Sequence, residues 1–93
     1  MKGLLRMAPT VGARVAAAAA LAEARGAATG LAMLDAIEVA AVAAYQPYWV
    51  LRAHLLKQAG AIDEARDAYQ RAIGLSEDPA VREFLAAQAG SLG

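Results

Sequence analysis

The chain contains no cysteine and a single histidine. Without cysteine there are no disulfides, no thiolate nucleophile and none of the common structural zinc sites, a composition that fits a reducing compartment, so the cytoplasm is the expected location. An excess of either charge is also missing, since nine lysines and arginines balance nine aspartates and glutamates. A neutral chain offers no net field to draw nucleic acid or an acidic membrane surface, and no direct DNA contact is expected. Long apolar runs are lacking too. The longest uncharged stretch, Val39 to Leu51, contains Gln46 and Pro47 and is shorter than the roughly 20 apolar residues of a membrane span. Near the start, Lys2, Arg6 and Arg14 precede the run Val15 to Ala22, where Ala20-Leu21-Ala22 imitates a signal-peptidase site. Arg14 abuts a run made mostly of alanine, a weak hydrophobe, so an amphipathic helix is the better reading. No Gly-rich phosphate loop, Ser/His/Asp arrangement or nucleophile elbow occurs, so neither catalysis nor a cofactor is expected.

What is present is alanine, with glycine, proline and β-branched residues sparse within long stretches, and this favours helix throughout. Ninety-three residues suit one small all-α domain, with residues 1–8 as a flexible N-terminal segment. Five helices are expected. Pro9 and the N-cap Thr10 precede the first, about 11 to 25, which Gly26 ends. A turn through Ala27 and Thr29 leads to a second, about Gly30 to Ala44, carrying Leu31, Leu34, Ile37 and Val42. The third starts near Gln46, since Pro47 suits the first helical position, and stops at Gly60. The fourth shows Ile62, Ala65, Tyr69, Ala72 and Ile73 on one stripe, with Asp63, Glu64 and Asp67 early, where acids suit the helix dipole, and an Asp67–Arg71 pair at i,i+4. Asp78 caps the fifth, which starts at Pro79 and buries Val81, Phe84 and Leu85.

Gly26 and Gly60 stand 34 residues apart, the period of tetratricopeptide repeats. The expected architecture is a tetratricopeptide-like stack of two helical hairpins plus a C-terminal capping helix. Gly60, Ala65, Tyr69 and Ala72 mark the turn and second helix of the later hairpin. Small residues at 53, 65 and 72 let helix backbones approach, while Trp49, Leu56 and Tyr69 fill the gaps around them. Two repeats are fewer than the three usually needed, so either the fifth helix caps the stack or a second copy completes it, as a homodimer through the alanine-rich first helix.

Arg52 is the unexpected residue, in the middle of the face formed by Tyr45, Tyr48, Trp49, Leu55, Leu56 and Ala59. An unpaired guanidinium is expensive to bury, so it either meets a carboxylate, with Glu23 and Asp35 as candidates, or opens into a groove that takes a partner's carboxylate. Tyr45, Tyr48 and Trp49 read as core, or as a platform for a peptide. His54 falls on the opposite side of that helix and reads as exposed, with no second histidine to make a metal site. Asp63, Glu64 and Asp67 read as a solvated helix start, since no calcium-type loop surrounds them.

The run from Ala44 to Leu85 resembles the C-terminal, tetratricopeptide-like extension of a group of bacterial extracytoplasmic-function sigma factors. The matching residues are Tyr45, Arg52-Ala53-His54-Leu55-Leu56, Gly60, Glu64-Ala65, Ala68-Tyr69 and Arg82-Glu83-Phe84-Leu85. Upstream, Ala22-Glu23, Gly26 and Gly30-Leu31-Ala32-Met33-Leu34-Asp35 are similar to the family's Ala-Glu, Gly and Gly-Leu-Ala-x-Leu-Asp pattern. The likeness extends over about Pro9 to Leu85. In place of the family's Asn-Arg-Ala-Val-Ala-Val segment the chain has Ala16 to Ala20 with Arg14 displaced, and Val81 stands where an acid is usual. The sigma regions that contact promoter and polymerase are not among these residues, so an excised domain, or a truncated or free-standing relative, is expected. The resemblance implies a regulatory domain acting in transcription initiation through protein contacts with the sigma regions, core RNA polymerase or a signalling protein. The competing expectation is a free-standing tetratricopeptide adaptor that binds a peptide on its concave face through the first and third helices.

Overall fold

The computed structural model describes residues 10–92, which form six helices and no strand. These are α1 Val11–Arg25, α2 Ala27–Asp35, α3 Val39–Val42, α4 Gln46–Gln58, α5 Ile62–Leu75 and α6 Pro79–Gly90. The chain is all-α, as its composition implies. The expected flexible segment 1–8 lies outside the described residues.

The ends of α1, α4 and α6 follow from local chemistry. Thr10 Oγ1 accepts the Ala13 N–H at 3.0 Å, and Asp78 Oδ1 accepts the Ala80 N–H at 2.8 Å, each satisfying a donor that has no partner within its helix. Gly60, at φ 84°, closes α4 with paired bonds: its N–H donates to the Lys57 carbonyl, and the Ala61 N–H donates to that of Leu56. That is a Schellman closure, which needs a left-handed residue and so favours glycine.

The second helix departs from expectation at both ends. Gly26, at φ 104°, reverses the chain by itself, so α2 restarts at once at Ala27 and the turn through Thr29 does not exist. α2 then stops at Asp35 instead of running to Ala44. Residues 36–38 break it, Glu38 is extended, and the short α3 follows. The break turns Ile37 and Val42 into the core, both buried. The indole N–H of Trp49 donates to the carbonyls of Val42 and Ala43, at 3.2 Å each, adding to the Tyr45 N–H that the Val42 carbonyl already accepts and supplying the Ala43 carbonyl at the end of α3.

Buried residues fall into two clusters on either side of α4. Ala53 and Leu56 of α4 meet Ala65, Ala68, Tyr69 and Ala72 of α5 and Leu85 and Ala89 of α6. On the other side, Tyr48 and Leu55 of α4 meet Val15 and Ala18 of α1, Leu34 of α2, Ile37 and Val42. Gly30 sits where α1, α2 and α4 converge: a Cβ there would stand 2.7 Å from Ala22 Cβ, 2.9 Å from Leu55 Cδ1 and 3.0 Å from the Ala18 carbonyl oxygen. Ser76, buried after α5, donates to the Ala72 carbonyl at 2.7 Å and accepts from Gln46 Nε2 at 3.1 Å, tying the end of α5 to the start of α4.

The stripe on α5 is as the spacing requires, with Ala65, Tyr69 and Ala72 buried and Ile62 and Ile73 half-buried. α6 buries Leu85 and Ala89, but Phe84 is 60 % exposed, contrary to its expected inward place. Since α6 packs on α5 through Leu85 and Ala89, the position preceding Leu85 lies on the flank of that contact. Ala59 also leaves its expected face, because α4 ends at Gln58 and Ala59 is an exposed cap residue.

Candidate functional site

Four of the five residues singled out in the sequence come together on α4 and the end of α2, and Glu23 does not join them. Arg52 Nη1 donates to Asp35 Oδ1 at 2.7 Å. Glu23 is exposed on α1 and pairs with no described residue. Asp35 is the last residue of α2, so the guanidinium also faces the negative end of that helix. Arg52 is 22 % exposed and Asp35 61 %. Burial of the guanidinium opposes its charge, but the Asp35 hydrogen bond, the field of nearby Tyr48 and the Asp35 carboxylate outweigh it and raise Arg52 above the ordinary arginine value. The charge is therefore permanent, with Asp35 as its carboxylate partner.

The aromatic pair divides its work. Tyr48 is buried, 3 % exposed, and its ring meets that of Trp49 edge-on at 4.9 Å. It is core and offers no platform. Trp49 is half-buried, its indole N–H already committed to α3, and the Arg71 guanidinium lies 4.7 Å from its ring centroid. The expected Asp67–Arg71 pair is thus replaced by a cation–π contact: the two ion pairs among the described residues are Arg52–Asp35 and the exposed Arg66–Asp63. The ring face of Trp49 outcompetes a solvated carboxylate because exposed i,i+4 pairs gain only about 0.3–0.5 kcal/mol.

Trp49 and Arg52 of α4 line one wall of a groove of about 210 Å³, and Glu64, Asp67 and Arg71 of α5 line the other. Two cations and two carboxylates face this groove, so it can exchange hydrogen bonds with a polar peptide segment. His54 is exposed, with Nε2 3.1 Å from Gln58 Nε2, and no group of three or more histidine, aspartate or glutamate residues converges among the described residues.

A second groove, of 430 Å³, was not anticipated. It lies between α4 and α6 and is lined by Pro47, Val50, Leu51 and His54 on one side and by Val81, Phe84 and Leu85 on the other. The signal was legible, since Pro47, Val50, Leu51 and His54 fall at i, i+3, i+4 and i+7 and form a second, largely apolar stripe on a helix whose buried face was already assigned. No helix of the described residues is long and apolar enough to cross a membrane. No family model, no curated protein and no solved structure matches the chain.

Proposed function

We propose that the chain is a regulatory protein-interaction domain of the kind that extends bacterial extracytoplasmic-function sigma factors, a binding module and not an enzyme. In this reading α1 with α2 and α4 with α5 are two tetratricopeptide-like hairpins, α6 is the cap, and α3 is an added link between hairpins. The domain acts in transcription initiation through contacts with the sigma regions, core polymerase or a signalling protein.

One observation carries this reading. Asp35 closes the upstream segment of the resemblance and Arg52 opens the downstream Arg-Ala-x-Leu-Leu segment, and the two meet at 2.7 Å. The paired charges join the two halves of the motif, which gives a physical reason for both to occur in one ordered pattern. The Gly60 closure and the buried Ala65, Tyr69 and Ala72 stripe are further support.

Transcription by purified polymerase with the full-length protein, with and without residues 10–92, tests the proposal. A severalfold change in promoter activity, or loss of binding to the sigma regions, is the expected result. Identical transcription and binding overturn it and favour the adaptor reading. The open apolar groove between α4 and α6 gives an adaptor its own support, though not on the expected face of α1 and α4, because a peptide site there needs no sigma region.

A further inference from the structure

The groove between α4 and α6 has a floor about 10 Å long, two turns of α4 at 1.5 Å per residue. That length matches the i to i+7 span by which an amphipathic helix lays its apolar face into a groove. Phe84 stands on its rim at 60 % exposure, an aromatic placed to be covered by a ligand. At the end of the groove by Gln46 and Val81, the lining continues into a 220 Å³ pocket walled by Glu77 and Asp78. Across the two spaces the lining includes these two carboxylates and no lysine or arginine, with His54 the remaining titratable group. Asp78 is occupied in capping α6. Glu77 is exposed and holds no ion pair with a described residue.

We infer that this groove docks a partner protein's amphipathic helix of two to three turns, apolar at i, i+3, i+4 and i+7, with a lysine or arginine at the end that meets Glu77. The inference rests on the reading of the chain as a protein-interaction domain and names the site and the chemistry of its partner. Apolar side chains fill the space between α4 and α6 and cover Phe84, while the terminal cation fixes the direction in which the helix lies.

The test uses the whole 93-residue chain and a fluorescein-labelled, helix-stabilised peptide with leucines at i, i+3, i+4 and i+7 and two arginines at one end, followed by anisotropy. Saturable binding is expected. Phe84→Ala weakens it about tenfold. Glu77→Lys weakens it about fivefold at low ionic strength, and that difference fades near 0.5 M salt. Val39→Ala, at the other large exposed apolar residue among those described, leaves it unchanged. Phe84 and Glu77 are both exposed, so neither variant threatens the fold, and thermal unfolding of each verifies this. Equal binding of a peptide with glutamates in place of the arginines overturns the inference, as does indifference to Phe84→Ala. Self-association of the chain that Phe84→Ala abolishes also overturns it, since a second copy then occupies the groove. Absence of any peptide binding alongside a transcriptional effect of deleting residues 10–92 refutes the docking site and leaves the broader function standing.

Discussion

The two sides of α4 are packed by different means. Toward α5 and α6 the seam is made of Ala53, Ala65, Ala68, Ala72 and Ala89, with Leu56, Tyr69 and Leu85 set between them. Toward α1 to α3 most of the work falls to Val15, Leu34, Ile37, Val42, Tyr48 and Leu55, with Ala18 and Gly30 making the one close approach. On the first side regular helices approach closely and the chain needs only a tight turn. On the second, large side chains must be brought inward from a segment that one straight helix cannot deliver, so α2 breaks and polar ties hold the break. Alanine seams let helices run uninterrupted, and bulky clusters here bend the chain around themselves.

Truncations give the largest test of this contrast. Tyr69→Ala removes the main filler of the alanine seam and is expected to cost about 3–5 kcal/mol, and Leu34→Ala about 2–5 kcal/mol on the other side, both read by denaturant unfolding. Tyr69 also has a pH handle, since burial raises its hydroxyl above the ordinary tyrosine value of 10.0. The neutral ring is the form the fold prefers, so this contribution is intact below pH 10 and is lost as pH rises through the folded value. Tyr69→Phe should flatten that alkaline loss; an unchanged alkaline limb removes Tyr69 as its source.

Additions come next. Ala65→Leu should force α4 and α5 apart and Gly30→Ala should force α1 and α2 apart, each by about 1–3 kcal/mol. An unchanged melting temperature in either variant contradicts the close approach on that side. Trp49→Phe keeps the ring but loses the indole N–H to the Val42 and Ala43 carbonyls, at about 1 kcal/mol. Its signature is local: amide exchange should quicken in residues 36–45 while α5 keeps its protection. Asp35→Asn, at a partly exposed pair, should have the smallest effect, about 0.2–1 kcal/mol and diminishing with salt.

How far the sequence revealed these features follows the same division. Thr10, Gly26, Pro47, Gly60 and Asp78 each set a boundary through their own backbone or capping chemistry, and each is where its residue type places it. The end of α2 was hidden because residues 36–44 contain no glycine or proline. It breaks for the sake of Ile37 and Val42, which reach a core that includes α1 and α4, and local propensity carries no record of that. Arg71 was hidden for a related reason: helical spacing offered Asp67, while the winning partner, Trp49, lies on another helix. For Arg52 the sequence narrowed the choice to two carboxylates, and only the placement of α2 against α4 selected Asp35.

Trp49 is the chain's single tryptophan, and it packs against both clusters at once. That position makes it a built-in optical reporter of cooperativity. If the two halves melt as one unit, its emission and the helical circular dichroism trace the same curve. If the bulky half loosens first, the indole loses its carbonyl partners and its colour shifts while α5 and α6 remain helical. A domain that regulates by yielding on one side would show that separation in a single fluorescence titration, with no label attached.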